Sequence, residues 1–531
     1  MNSKYFVYSL FIISLLGSFS LDAQQIKHAA QQRPNILFCI ADDASLQHMS
    51  AYGLSGWVKT PAFDRIAKEG LLFLNAYTPN AKCSPSRSCI LTGRNSWQLE
   101  EAGNHAPLFP AKFTTYVEAL AKQGYFVGYT GKGWAPGNPG ELNGIPRKLT
   151  GLEYNTVKMP APNSAISPID YTANLEAFLK DKPKNQPFSF WYGGHEPHRV
   201  YEYGSGVKKG KKKLSDIKQV PPFWPDNDTV RNDMLDYAYE LEYFDSHLGK
   251  MLDVLEKNGE LDNTIIVVTS DNGMPFPRVK GHVYEFDNHL PLAIMWKQGI
   301  KNPGRKVEDF VSFIDFAPTF FDVAKTPNKP GTMQPIQGKS LMKIFTSGKA
   351  GVTDTKRDYV LLGKERSDVG RPNDWGFPVR SIIKGNMMYI RNYEPRRWPA
   401  GNPETGYLDT DGSPTKTYIL DANRKGNGAN FWEISFGKRP AEEFYNIKKD
   451  PYCMNNLAEN KSYLKDKNAL KTHMETELKK QGDPRMFGKG EIFDNYPYGE
   501  PKVRNFYKRY MDGEKMKAGW VNESDFEKPK K

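Results

Sequence analysis

Short apolar runs that alternate with helix-like segments place the strongest constraint on how this chain folds. Asn35–Ala41, Phe188–Tyr192 and Thr264–Thr269 are almost continuously apolar. Strands of this kind are buried on both faces, which is typical of a parallel sheet covered by helices. Amphipathic stretches between them, such as Pro61–Glu69 and Val230–Lys257, predict the helices. We therefore predict an α/β domain with a large, mostly parallel sheet sandwiched by helices.

The sequence pattern changes near residue 370. Val379–Ile383 and Met387–Arg391 resemble short strands joined by a Gly-Asn turn, which predicts a hairpin. A final helix is predicted over Tyr463–Lys480. A chain of 531 residues also exceeds what one hydrophobic core usually organises. We predict a catalytic domain over residues 24–370 and a smaller α+β domain with an antiparallel sheet over residues 371–531, whose last part wraps the surface or frays.

The first 23 residues have the three-part plan of a secretory signal peptide. Lys4 precedes the apolar run Tyr5–Leu16, and small and polar residues follow up to Ala23. The apolar run is too short to cross a bilayer comfortably. We therefore predict cleavage after Ala23, a periplasmic or secreted protein, and no membrane span once the signal is removed.

The number of cysteines argues against a disulfide-rich fold, and the net charge indicates which kind of partner the protein binds. The four cysteines, Cys39, Cys83, Cys89 and Cys453, do not form the spacing framework of a disulfide-rich domain. The net charge is +12, from 73 basic and 61 acidic residues, and favours an anionic partner. Export and the lack of a nucleic-acid-binding motif argue against nucleic acid, so a sulfated or carboxylated polymer is the better match.

Two apolar strands end in acidic and amide side chains. The first strand is followed by Asp42 and Asp43, and Thr264–Thr269 is followed, after one serine, by Asp271 and Asn272. If the strands are neighbours in a parallel sheet, these groups meet at one edge, where ligands bind. Three carboxylates and an amide oxygen suit Ca²⁺ or Mg²⁺ rather than zinc. Alternatively, each pair only caps a following helix or turn, and the spacing alone leaves both interpretations open.

A cysteine is expected at the start of a helix. Ser84 can cap a helix and Pro85 suits its first turn. Cys83 then stands at a helix N-terminus, where backbone N–H groups favour negative charge. Arg87 lies one turn further along and can neutralise a carboxylate or a sulfate. These residues also fit an activated thiolate, whose histidine partner the sequence does not identify.

The segment Cys83–Arg94 has the form C-S-P-S-R-x-x-x-L-T-G-R and resembles the signature of the type I, formylglycine-dependent sulfatases. The resemblance continues from Arg33-Pro34-Asn35 through Asp271-Asn272-Gly273 into the C-terminal domain. The segments His195–Arg199 and Asp271–Pro277 are most similar to the branch of heparan N-sulfatases and bacterial ulvan-type polysaccharide sulfatases. The resemblance implies an alkaline-phosphatase-like sulfatase fold.

The resemblance also implies a modified nucleophile and a metal. In the family, the cysteine that matches Cys83 is oxidised to formylglycine, by a formylglycine-generating enzyme or an anaerobic sulfatase-maturating enzyme. The hydrated aldehyde supplies one hydroxyl that attacks sulfur and a second that allows sulfate to be expelled. By this likeness Asp42, Asp43, Asp271 and Asn272 hold one Ca²⁺ per chain together with the modified Cys83.

Further site residues follow from matching segments. Lys132 matches a sulfate-binding lysine in the family's Gly-Lys-x-His segment, but the family histidine is Trp134 here, and His105 is the suggested substitute. His195 matches the histidine that protonates the leaving group, and Lys280 matches a basic residue that contacts sulfate. The predicted catalytic residues are Cys83, Arg87, Lys132, His195 and Lys280; the predicted substrate contacts are His105, Trp134, His198, His282, Arg366 and Arg371.

The sequence thus predicts a sulfatase that acts on a sulfated polysaccharide or its oligosaccharides, in bacterial degradation of an algal polymer such as ulvan. An N-sulfoglucosamine sulfohydrolase of the heparan type is the alternative. A phosphodiesterase of the same superfamily is disfavoured by Cys83 and the oxygen-rich cluster. A catalytically inactive sulfated-glycan-binding protein is disfavoured because the nucleophile and the four metal ligands are intact.

Overall fold

The computed structural model describes residues 33–326 and 333–528. The predicted signal peptide lies outside this range, and the predicted domain boundary near residue 370 stays a prediction. Within the described ranges, no helix is both long enough and apolar enough to cross a membrane.

The bounds of the strands and α-helices are as follows. The strands are β1 (Asn35–Ala41), β2 (Leu71–Phe73), β3 (Ala76–Tyr77), β4 (Phe126–Gly131), β5 (Glu141–Leu142), β6 (Ile145–Pro146), β7 (Leu152–Glu153), β8 (Phe188–Gly193), β9 (Thr264–Ser270), β10 (Leu292–Met295), β11 (Arg305–Val307), β12 (Val311–Ser312), β13 (Tyr359–Lys364), β14 (Val379–Lys384), β15 (Met387–Asn392) and β16 (Glu442–Asn446). The helices are α1 (Pro61–Glu69), α2 (Cys83–Thr92), α3 (Tyr116–Lys122), α4 (Tyr171–Asp181), α5 (Ser205–Lys208), α6 (Asp228–Lys257), α7 (Glu285–Asn288), α8 (Phe316–Val323), α9 (Met342–Ser347), α10 (Pro414–Arg424), α11 (Ala429–Phe436), α12 (Leu464–Lys480), α13 (Ile492–Asn495) and α14 (Phe506–Met511).

The main sheet has eight strands in the order β11-β2-β10-β9-β1-β8-β4-β7. Strand β1 lies near the middle and pairs in parallel with both β8 and β9. Strand β10 runs antiparallel to β9 and β2, so the sheet is mostly but not wholly parallel. The predicted α/β architecture is confirmed, including the adjacency of the two strands that end in carboxylates.

Both faces of the main sheet are buried, which explains why its central strands are apolar at nearly every position. Leu37 and Cys39 of β1 pack in the core on the side of α1, α4 and α6. Ile36, Phe38 and Ile40 pack on the opposite side, with α2, α3 and α8. Because successive side chains of a strand point to opposite faces, a strand between two helical layers has no polar face.

A second sheet is antiparallel, with the order β13-β14-β15-β16. Strands β14 and β15 form the predicted hairpin, and Gly385 in their turn has φ 56°, a conformation that favours glycine. Helix α12 contacts β14 and β15. Arg380 of β14 is buried and donates to Asp483 just beyond α12 at 2.7 Å, which fastens the helical segment to the sheet.

The C-terminal segment packs against loops near the carboxyl edge of the main sheet. Tyr498, Phe506 and Ala518 are buried in a cluster with Ala106 and Leu408. The prediction for the last part of the chain, that it wraps the surface or frays, did not include these buried contacts. These contacts bring the end of the chain to the candidate active site.

Candidate active site

The ends of β1 and β9 bring two pairs of polar side chains together. Ala41 pairs with Ser270 in the parallel register, so Asp42 and Asp271 leave the sheet side by side. The backbone N–H of Asp43 donates to the Asp271 carboxylate at 3.1 Å. The predicted convergence of the acidic groups at one sheet edge is what the structure shows, and it follows from the parallel pairing of the strands.

Helix α2 presents Cys83 to the same edge. The helix begins at Cys83 itself, with Lys82 as its N-cap residue. The Cys83 Sγ lies 3.5 Å from the nearest Asp42 oxygen and 4.0 Å from an Asp43 oxygen. The expectation that Ser84 caps the helix is wrong: its hydroxyl accepts a hydrogen bond from the Ala106 backbone at 3.0 Å, because that loop lies against the start of α2.

The chemistry of this cluster fits a hard divalent cation. One ligand atom from each of Asp42, Asp43, Cys83 and Asp271 lies within 4.8 Å of the others, and all four residues are buried. The Asn272 Oδ1 atom is also buried and has no hydrogen-bond partner among the described residues. Burial and the Asp42 carboxylate raise the pKa of Asp271 to about 7. A bound cation would relieve this crowding of negative charge and satisfy the orphaned amide oxygen.

Basic side chains surround the carboxylates. Arg87 donates to Asp271 at 2.9 Å and is itself fully buried. The Lys132 Nζ atom lies 2.6 Å from Asp42 Oδ2, whereas Cys83 Sγ lies near Oδ1 of the same carboxylate. Although burial opposes it, Lys132 contributes to lowering the pKa of Asp42 well below its usual value. Both cations neutralise carboxylates of the cluster here, and their predicted contact with sulfate stays a prediction.

Lys280 completes the ring of basic side chains. Its Nζ lies 2.7 Å from Asp43 and 2.7 Å from Asp411. The Asp43 carboxylate thus faces both the acidic cluster and a lysine. His198 approaches the same carboxylate with its Nε2 at 3.9 Å, so two predicted site residues meet at Asp43.

A cavity of about 600 Å³ opens over the cluster. Cys83, Lys132 and His195 all line it, so the proposed nucleophile, sulfate-binding lysine and proton donor share one space. Burial lowers the pKa of His195 to about 4, so its imidazole is neutral near pH 7 in the absence of a bound anion. His105 lines the same cavity, and its Nδ1 lies 3.2 Å from an Asp368 oxygen.

Four predicted substrate contacts lie outside the lining of this cavity. Trp134 donates through Nε1 to Ser88 and borders a neighbouring cavity that also reaches Lys132 and His195. His282 stacks on a tyrosine, Arg366 donates to the backbone of Tyr496, and Arg371 is buried against Asp409. Their substrate contacts stay predictions, and the contacts present here hold loops together.

Sequence reasoning missed several residues of the cavity because they come from distant segments. Lys82 precedes the nucleophile and pairs with Asp368 at 3.2 Å. The position of Lys82 beside Cys83 was the one signal that the sequence offered. Asp411 binds Lys280, and Tyr498 and Trp520 line the cavity from the C-terminal segment. No local pattern links these last residues to the site.

Comparison with known proteins identifies the family. The sulfatase family profile matches residues 34–326, which cover β1 through α8 and include Cys83 and the acidic cluster. The chain belongs to the sulfatase family. It is a sulfuric ester hydrolase, and the prediction from the segment Cys83–Arg94 is confirmed at the level of the family.

Relatives of this sulfatase act on sulfated carbohydrates. An ulvan-active sulfatase of Formosa agariphila is 27% identical over 465 residues, which cover 86% of this chain and 82% of the relative. The human N-sulphoglucosamine sulphohydrolase is 25% identical, with coverage of 80% and 86%. The solved structure of BT4656 with its substrate D-glucosamine-2-N,6-O-disulfate has a TM-score of 0.60 and 23% identity, covering 85% of this sulfatase and 98% of that chain. This last likeness shows a shared fold.

Proposed function

We propose that this sulfatase uses a formylglycine formed from Cys83, with one bound Ca²⁺, to release sulfate from a polysaccharide or its oligosaccharides. The observation that supports this most directly is the position of Cys83. Its Sγ stands 3.5 Å from Asp42 at the first residue of a helix, inside a cluster of three carboxylates. A structural cysteine gains nothing from such polar surroundings, whereas a nucleophile beside a cation does.

Asp42, Asp43, Asp271 and Asn272, with residue 83, are the groups that would hold the ion. When bound, the calcium would polarise sulfate oxygens, and the hydrated aldehyde would supply the attacking hydroxyl. Arg87 holds Asp271 in place through a 2.9 Å hydrogen bond. The protein therefore orients its acidic ligands before any ion arrives, which reduces the cost of assembling the site.

The remaining polar groups act on the substrate. Lys132 and Lys280 reach the cluster from two sides and would bind sulfate oxygens. His195 would donate a proton to the leaving oxygen or nitrogen of the sugar. Because a nearby anion favours the protonated imidazole, a bound sulfate ester would raise the pKa of His195 from about 4 toward the range that proton donation needs.

We further propose that the substrate comes from a marine algal polymer such as ulvan and that the enzyme is exported to the periplasm or secreted. The ulvan-active relatives from Formosa agariphila support this substrate class. The alternative, an N-sulfoglucosamine sulfohydrolase, is supported by the human relative and by segment His195–Arg199. A maturating enzyme that oxidises Cys83 is the implied partner.

A panel of defined ulvan, carrageenan and heparan oligosaccharides tests the proposed function. We expect sulfate release, measured by ion chromatography, from ulvan fragments and no release of 4-nitrophenol from bis(4-nitrophenyl) phosphate. Desulfated oligosaccharides serve as blanks. Release from N-sulfated heparan fragments alone would replace the ulvan proposal by the alternative, and the absence of sulfate release from every member, with the aldehyde at residue 83 verified by mass spectrometry, would contradict both.

Removal of calcium is expected to abolish turnover and to lower the thermal stability. The ion offsets the repulsion among Asp42, Asp43 and Asp271, so it binds the folded state in preference to the unfolded chain. At a calcium concentration 100 times the dissociation constant, the gain is about 2.7 kcal/mol. Turnover and Tm are measured after dialysis against a chelator and again after calcium is restored. Unchanged turnover in the dialysed protein would rule out the proposed ion.

A further inference from the structure

One wall of the active-site cavity is built by the end of the chain. Tyr498, Glu500 and Trp520 line the cavity together with His105, whereas the carboxylate cluster and Cys83 come from the main sheet edge and α2. The proposed function assigns the cluster and its lysines to the sulfate. The proposed function gives Tyr498, Glu500 and Trp520 no part in that chemistry, and aromatic rings beside hydrogen-bonding groups are typical of sites that recognise a sugar ring.

The wall is held rigidly. The Tyr498 hydroxyl donates to Asp368 at 3.0 Å, and the backbone of Gly499 donates to Ala106 at 2.7 Å. The indole N–H of Trp520 is committed to the Leu408 carbonyl at 2.8 Å. The half-buried Trp520 ring can therefore contribute only its apolar surface to a ligand, and this surface is already fixed before a ligand binds.

The donors of this wall, the Tyr498 hydroxyl and the Trp520 indole N–H, are already used, so its polar groups without a partner are acceptors. Glu500 is exposed and forms no ion pair within the described residues. The Nε2 atom of His105 is buried and has no hydrogen-bond partner, while Nδ1 is directed at Asp368. Burial lowers the pKa of His105 even though Asp368 opposes this. With the proton on Nδ1, the imidazole stays neutral and carries no positive charge on this wall.

The basic side chains that line the cavity are already paired. Lys82 binds Asp368, Lys132 binds Asp42, and Lys280 binds Asp43. Arg199 is held by Asp233 at 2.6 Å. Asp42 and Asp43 would also hold the proposed calcium, whose charge would offset theirs and leave Lys132 and Lys280 to bind sulfate. Among the described residues that line the cavity near Trp520 and Glu500, no unpaired basic side chain is then left to bind the carboxylate of a sugar.

We propose that the wall formed by His105, Glu500 and Trp520 is the subsite for the sulfated sugar, and that it selects a ring bearing free hydroxyl groups and no carboxylate. The ring packs on the Trp520 face beside His105, and its hydroxyl groups donate to Glu500. A uronic acid is disfavoured because its carboxylate meets Glu500. This proposal rests on the proposed function for the sulfate end of the site and adds the class of sugar.

Equilibrium binding separates this proposal from the proposed catalysis. Calcium-loaded protein with Cys83→Ala is titrated calorimetrically with matched pairs of glucose and glucuronic acid that carry the sulfate on the same hydroxyl group. We expect the glucose sulfate to bind about 5-fold more tightly or better, from the repulsion at Glu500. Trp520→Ala in this background is expected to weaken binding of the glucose sulfate about 10-fold through loss of the packed ring.

A reversal of charge gives the sharpest test. Glu500→Lys should invert the preference, so that the glucuronic acid sulfate binds more tightly than the glucose sulfate. Glu491→Lys, an exposed glutamate of the same segment, and Phe487→Ala, a 57% exposed aromatic residue outside the cavity, are the matched controls. If Trp520→Ala does not fold, Trp520→Leu replaces it, because leucine removes the aromatic ring but keeps an apolar side chain.

The outcomes are separate from those of the sulfate-release assay. A wild-type preference for the uronic acid, binding unchanged by Trp520→Ala and Glu500→Lys, or no binding of either sugar would overturn the proposed subsite. Failure of sulfate release with the binding preferences intact would contradict the catalytic proposal and leave the sugar subsite supported.

Discussion

Replacement of Cys83 by alanine is expected to lower kcat for sulfate release by at least about 10⁴-fold while the protein stays folded. In the proposed reaction the attacking group is the formylglycine formed from Cys83. Alanine cannot be oxidised to this aldehyde. The thiol sits among carboxylates rather than in an apolar core. Its loss should therefore change the free energy of unfolding by about 1 kcal/mol or less, which thermal unfolding measures.

Cys89 provides the control for this experiment. It lies on the same helix, is fully buried, and packs in the apolar layer between the helix and the sheet. Cys89→Ala should lose some stability through a small cavity and keep turnover. If Cys83→Ala releases sulfate at a rate near that of the wild type, the assigned nucleophile is wrong, whatever the role of the metal.

Replacement of Asp271 by alanine is expected to abolish turnover, to remove the stabilisation by calcium and to lower the stability of the fold. Asp271 is fully buried and accepts hydrogen bonds from Arg87 at 2.9 Å and from the Asp43 backbone at 3.1 Å. Its loss leaves Asp42, at 3.6 Å, as the remaining carboxylate partner of Arg87 among the described residues, beside the backbone carbonyls of Lys132 and Gly133. Breaking a buried ion pair costs about 3–5 kcal/mol, because the remaining charge is left uncompensated.

The matched control is Asp245→Ala. Asp245 is also buried and accepts from the backbone N–H groups of Ala62 and Phe63 at the start of α1, away from the cavity. We expect this variant to lose stability but to keep both turnover and the rise of Tm with calcium. Asp271→Asn preserves the shape of the side chain if Asp271→Ala does not fold. An undiminished calcium response in Asp271→Ala would place the ion elsewhere.

Several elements were predictable because their signals are local. The bounds of β1 and α1 agree with the sequence, since a strand buried on both faces is apolar throughout and a helix that starts at Pro61 and stops before Gly70 carries its own boundaries. The hairpin of β14 and β15 follows from its Gly-Asn turn. Apolar residues at helical spacing over Phe113–Gln123 predict a longer helix than α3, which a capping box of Thr115 and Glu118 starts at Tyr116. That signal was present in the sequence.

The sequence by itself determined the cluster around Cys83, which is the proposed sulfate end of the site. Cys83 and Arg87 are one helical turn apart, and Asp42 and Asp271 each follow a buried strand, so local patterns and a parallel sheet suffice to bring them together. Only the tertiary structure brought together the residues of the proposed sugar subsite. His105 and Trp520 are 415 positions apart (520 − 105) and meet because loops pack against one another without periodicity. Such packing depends on the shape and burial of the whole chain, which no short stretch of sequence encodes.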